Sequence, residues 1–276
     1  MKIELYPFGF DEFCRFHTLS PGGYSTAREA EVLRLFSRYL ESGGFPEYLK
    51  LEDPVVLSRT FEDIIFRDII VRYGIREVLP FRELTRYLFT NMAREASYHS
   101  LAKAVGIKSP MSVRSWTGYL KDAYLIGSCL RYDHSLKKQH SRNRKFYGID
   151  TGVRNAVAFQ FSDDIGMLLE TMVWLELHRQ GKEVYWFKGR GECDFLTIDR
   201  GMVLEAIQVC AELTRENRDR EITGLMEAGE KTGAVNRYII TIHQDGKKVV
   251  EGASVRFLPF WRWVMEGTMM NQIASL

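Results

Sequence analysis

The chain has 276 residues, 45% hydrophobic and 27% charged, with a net charge of +2. That is the balance of an ordinary globular protein with room for one large core or two smaller ones. No run approaches the about 18 apolar residues of a membrane-spanning helix and no basic-then-apolar leader opens the chain, so a cytoplasmic protein without a membrane partner is expected. Cys14, Cys129, Cys193 and Cys210 are scattered with no CxxC pair, which argues against a zinc site or a disulfide framework.

In chain order, "KIELYPFGFDEF" reads as a short strand running into a helix, as if it were the tail of something larger. Residues 26–42 carry apolar side chains at helical period, with Thr26 and Glu29 at capping-box spacing. Gly43-Gly44 breaks that helix and Pro46 restarts one. Two further amphipathic helices are expected over 54–73 and 80–93, making 1–80 a helical connector. Over 81–150 the pattern is helix, short helix, turn, longer helix. Ser97 and Ser109 serve as N-caps, Pro110 lies in a first turn and Gly106 past a helix end. "GSCLRYD" and "KFYGID" then read as a β-hairpin around a basic loop. Three helices and a hairpin describe a winged helix.

From 164 the pattern changes. "DIGMLLETMVWLELHRQG" is a helix, and "EVYWFK", "CDFLTID" and "VLEAIQV" are strand-like runs. A charged-faced helix, the strand "RYIITI", and a final strand and helix follow. This order predicts a mixed sheet flanked by helices over 151–276. The expected fold class is therefore α/β, α+β overall. The aromatic clusters "VYWF" and "FWRW" are expected to pack the core.

The series "LYPFGFDEF", "GGFPEYL", "RDIIVRYGIRE", "KKQ…RKFYGIDTGV", "GMLLETMVWLEL" and "ECDFL…AIQV" resembles the C-terminal part of prokaryotic AAA-type ATPases carrying domain of unknown function 4143. The resemblance covers nearly the whole chain. It implies an ATPase domain ahead of "LYPFGFDEF", and hence an ATPase domain or ATPase subunits as partners. This chain has no GxxxxGK[ST] run, so nucleotide binding by these residues is not expected. The resemblance also implies a PD-(D/E)XK nuclease-like, restriction-endonuclease-like fold for 151–276. Carried over by position, the helix glutamate falls on Glu170, the sheet aspartate on Asp194, and the ExK pair on Gln208 and Cys210.

In that chemistry carboxylates hold Mg²⁺, which lowers the pKa of a bound water, and a lysine supports the attack. Gln208 offers a neutral oxygen, but Cys210 is no substitute for an ammonium. Glu205 is three residues from Gln208, so the pleat sends it to the other face. The expectation is a degenerate site, with at most weak metal binding by Glu170 and Asp194. The alternative is an active Mg²⁺-dependent nuclease using Glu170, Asp194 and Gln208, with Glu205 as a further candidate should a bulge bring it round. Asp194, inside an apolar run, needs a partner, for which Lys188 or Arg190 is available.

A second signal is "RYDHSLKKQHSRNRK", residues 131–145, whose net charge is +5. Lys137, Lys138, Arg142, Arg144 and Lys145 on a protruding hairpin suit phosphate contacts. Lys108, Ser112, Arg114, Ser115 and Trp116 lie where a helix-turn-helix reaches base edges. DNA is thus the expected partner. A protein-interaction module of the ATPase is the remaining alternative.

Overall fold

The computed structural model describes residues 4–19, 25–159, 165–250 and 252–274. The connector consists of α1 (Phe10–Phe16), α2 (Thr26–Ser42), α3 (Pro46–Leu51) and α4 (Val55–Asp63). α4 runs on into a π-helical stretch, Ile64–Val71. Residues 4–9 form no strand, in contrast to the expectation. Ser25, one residue before Thr26, caps α2 by accepting from the Arg28 amide. Gly43 follows at φ +66°, the left-handed region that suits a residue without Cβ.

Next come α5 (Val78–Thr90), β1 (Glu95–Ala96), α6 (Tyr98–Ala104), α7 (Pro110–Asp122), β2 (Ile126–Arg131), α8 (Leu136–Ser141), β3 (Arg144–Gly148) and α9 (Thr151–Val157). Ser97 caps α6 through the Ser100 amide, and Asp150 caps α9 through that of Val153. The basic loop between β2 and β3 is thus largely a helix, α8. The remainder is α10 (Ile165–Arg179), β4 (Glu183–Lys188), β5 (Glu192–Asp199), β6 (Met202–Val209), α11 (Arg218–Thr232), β7 (Asn236–Thr241), β8 (Gly246–Val250), β9 (Ala253–Pro259) and α12 (Phe260–Ala274). Strands β1 and β8 are additional to the pattern read from the sequence.

The fold is α+β, and its strands join in one nine-stranded mixed sheet of order β1-β3-β2-β4-β5-β6-β7-β9-β8. The junction is β2 against β4, parallel, with Leu130 opposite Tyr185 and Arg131 opposite Trp186. The hairpin of residues 126–148 is therefore continuous with the α/β sheet. Strands β4 to β6 form an antiparallel meander and β7 returns parallel to β6.

Side-chain alternation assigns the two faces of the sheet. Phe195, Ile207 and Val209 pack with Leu169 and Val173 of α10 and Trp261 of α12. Leu196 and Ala206 pack with Leu225 and Ala228 of α11. Trp186, Phe187, Phe260, Trp261 and Trp263 are buried, the core role expected of those aromatics.

One contact fixes the hairpin against α10. Gly127 of β2 lies opposite Tyr147 of β3. The Trp174 ring covers this spot, stacked on Tyr147 with centroids 5.0 Å apart. A Cβ on Gly127 would come within 2.0 Å of the Trp174 ring. Gly127→Ala should therefore displace the tryptophan and destabilise the fold by about 1–3 kcal/mol, measured by urea denaturation. Unchanged stability would show that the stack does not set this packing.

Candidate functional site

Lys145 and Tyr147 alternate onto the same face of β3, and Glu170 and Trp174 are one turn apart on α10. The two pairs meet. Tyr147 stacks on Trp174 and donates its hydroxyl to Glu170 Oε1 at 2.8 Å. Lys145 Nζ lies 2.9 Å from Glu170 Oε1, 2.8 Å from Glu192 Oε1 and 3.1 Å from Asp194 Oδ1. Two of these contacts, to Glu170 and Asp194, are hydrogen bonds, and the third, to Glu192, is an ion pair. Lys145 is 2% exposed.

The second oxygens of Asp194 and Glu192 are engaged as well. Asp194 Oδ2 accepts from the Val209 amide at 2.9 Å. Glu192 Oε2 accepts from Lys188 Nζ at 3.4 Å, and Lys188 also reaches Glu95 of β1 at 3.0 Å. Burial opposes the charge on Lys145, but attraction by Glu170, Asp194 and Glu192 outweighs it and holds the pKa well above the usual lysine value. Burial, with repulsion from Asp194 second, raises the Glu170 carboxyl; Lys145 and Tyr147 act against that rise.

Glu170, Glu192 and Asp194 line a cavity of about 470 Å³ together with Gln208, Cys210, Arg220 and Glu221. Gln208, 6% exposed, donates its amide to Glu221 Oε2 of α11 at 2.5 Å. Its Oε1 is buried and accepts no hydrogen bond from the described residues. Burial, then repulsion by Glu221 and Asp194, pushes the Cys210 thiol up to about 12, so it stays neutral. Gly224 allows α11 its close approach, because a Cβ there would sit 1.9 Å from the Glu192 carbonyl oxygen.

The expected site residues Glu170, Asp194, Gln208 and Cys210 are thus gathered at one cavity. Glu205 is elsewhere, bonded to Lys182 and Thr197, as the pleat argument anticipates. The partner expected for Asp194 needs correction: Lys145 takes that place, while Lys188 serves Glu95 and Glu192. Arg190 stands 3.8 Å from Glu227.

Lys145 itself needs the larger correction. It is no wing cation, because the pleat of β3 turns it inward among carboxylates. Arg142 is ion-paired with Asp133 at 3.1 Å, and Arg144 lies over the Tyr98 ring at 4.5 Å. Lys137 and Lys138 on α8 and Lys108 and Arg114 at α7 are exposed. Trp116 is buried against Phe81 and reaches no base. Glu192 and Glu221 were missed by the sequence reading. For Glu192 the signal was its spacing, two residues before Asp194 on one strand.

These arrangements test whether Mg²⁺ suits the site. The position between helix glutamate and sheet aspartate already holds an ammonium, and the oxygens facing it are spent on N–H donors. Among the described residues no three His, Cys, Asp or Glu side chains are arranged to hold a metal ion. The donor set as it stands does not fit the ion.

Comparison with known proteins gives relatives without an assigned activity. The family Domain of unknown function (DUF8612) matches residues 33–164. That match takes in the helical region, the hairpin and Lys145, and ends before α10. An uncharacterized protein of Methanocaldococcus jannaschii is 32% identical across 95% of this chain and 63% of its own length. Another, from Haemophilus influenzae, is 22% identical across 91% of this chain and 63% of its own length. The chain thus spans under two thirds of these curated relatives. No described helix is long and apolar enough to cross a membrane.

Removing one member of a buried charge cluster leaves the others uncompensated. Lys145→Met should cost about 3–5 kcal/mol, read from denaturant unfolding, and Glu170→Gln added to it should recover part of the loss. A Lys145→Met protein as stable as the parent would contradict the cluster.

Proposed function

We propose that this chain is a nucleic-acid-binding module of an AAA-type ATPase, with a winged helix as its contact surface and a nuclease-like core that performs no cleavage. The carrying observation is that the buried Lys145 ammonium is hydrogen-bonded to Glu170 and Asp194 and ion-paired with Glu192, so it is committed within the protein instead of being offered to a phosphate. Support for the winged helix comes from the order α5, β1, α6, α7, β2, β3 and the strand arrangement β1-β3-β2. Support for nucleic acid is narrower than the charge run suggests. It rests on Lys108 and Arg114 at α7 and Lys137 and Lys138 on α8, with Arg142 and Arg144 as secondary contributors because both are engaged within the protein. The resemblance to domain of unknown function 4143 proteins carries the link to an ATPase, and a cytoplasmic location belongs to the same reading.

A second reading, an active Mg²⁺-dependent nuclease, is favoured by one observation. Lys145 brings to the site the lysine that Cys210 lacks, and Glu192 brings another carboxylate. On that reading the cluster must open when substrate and metal arrive.

Two measurements separate the readings. Changing Lys108, Arg114, Lys137 and Lys138 to alanine should weaken duplex DNA binding across sequences, removing about 0.9 from the log–log salt slope per lost phosphate contact. The parent should cleave neither single- nor double-stranded DNA with Mg²⁺ or Mn²⁺. Cleavage abolished by Asp194→Ala would establish the nuclease instead. A parent that does not bind DNA would favour a protein-interaction module.

A further inference from the structure

We infer that the Lys145 ammonium is a resident replacement for the divalent cation, so that the carboxylate cluster is metal-independent in this protein and becomes a cation site only when that lysine is removed. The inference goes beyond nucleic-acid binding and stands whether or not that reading holds.

The geometry carries it. Glu170 comes from α10 and Glu192 and Asp194 from β5, and one Lys145 nitrogen stands within 3.1 Å of an oxygen of each. Three carboxylates converge on one point at the spacing an ammonium requires, and among the described residues they are not arranged as a metal site; without the ammonium, the same hard oxygens are of the chemical type that Mg²⁺ or Ca²⁺ takes. Here the point is filled by a cation on a covalent stem. The stem matters because Lys145 belongs to the hairpin, with two strands, β2 and β4, between its own strand and β5 in the sheet order. A free ion would join only α10 and β5; the lysine joins them to β3 as well.

Charge balance agrees. An ammonium supplies one positive charge where a divalent ion supplies two. Lys188, on the other oxygen of Glu192, makes up part of the difference.

Replacement also explains why Gln208 is tolerated. With no metal to hold, that position needs no charged ligand, and its amide serves Glu221 instead. A metal site would instead leave Asp194 and Gln208 Oε1 to share the ion.

Terbium luminescence on the full chain tests this, because Tb³⁺ takes oxygen ligands of the same kind. Trp186, whose ring centroid is 5.6 Å from Lys145 Nζ, provides a sensitiser beside the site. The parent should show no saturable, Asp194-dependent emission. Lys145→Met should show it, with half-saturation at least about tenfold below the highest Tb³⁺ concentration at which the parent shows none, equivalent to ~1.4 kcal/mol, and adding Asp194→Ala should abolish it. Mg²⁺ or Ca²⁺ should raise the melting temperature of Lys145→Met and leave that of the parent unchanged. A variant that folds only with divalent ions gives the same support. If Lys145→Met does not fold at all, Lys145→Gln with Glu170→Gln, which removes one charge of each sign, carries the comparison. Saturable binding by the parent that Asp194→Ala removes would overturn the inference, as would a folded lysine variant that binds no more tightly than the parent.

Discussion

Lys145 is the point on which the structure turns, because its ammonium pairs with three carboxylates from elements that the chain reaches later. Moving a charge from water into a protein interior costs several kcal/mol, and the cost is offset only when every donor is matched. The matching demands that β3, α10 and β5 keep fixed positions. Tyr147 stacked on Trp174 and the bare backbone of Gly127 hold β3 against α10. The parallel pairing of β2 with β4 makes one sheet of two sequence regions that look separate. A second line of charge, Glu95 to Lys188 to Glu192, runs beside it from β1 to β5.

The same cluster decides how the cavity is read. Carboxylates gathered at strand ends beside a helix glutamate suggest metal-assisted phosphodiester chemistry, and two of the four positions carried over keep their carboxylates. What differs is the occupant. A lysine two residues after the second carboxylate would be free to support an incoming phosphate. A lysine arriving from a neighbouring hairpin and paired with Glu170, Glu192 and Asp194 has other work. The charges lining the cavity hold β3, α10 and β5 together.

Helix and strand order were legible because periodicity survives local detail. The runs from "GMLLETMVWLEL" to "RYIITI" gave α10, β4, β5, β6, α11 and β7 in the expected sequence. The placement of Glu205 followed from strand period alone. Lys145 was misread because net charge along 131–145 does not say which cations turn inward. The signal that could have separated it is local: "KFYG" is a strand run between strand partners, where a lysine alternates with aromatics and one face is buried. Its partners, 25 to 49 residues away, follow only from the sheet order, as does the β2–β4 junction. Strand β8 was missed because "GKKVV" shows no alternation and its residues are mostly exposed at the sheet edge.

Side-chain ¹⁵N NMR of the lysine ammonium groups tests the central claim most directly. A folded-state pKa raised above the ordinary value means that the cluster's stabilisation is complete at neutral pH and is lost only as pH rises past the usual lysine range. One slowly exchanging ammonium signal, absent in Lys145→Arg, should persist at a pH where surface lysines have lost theirs, and saturating Mg²⁺ should not move it. A Lys145 signal that titrates with the surface lysines, or shifts when Mg²⁺ is added, would contradict the account.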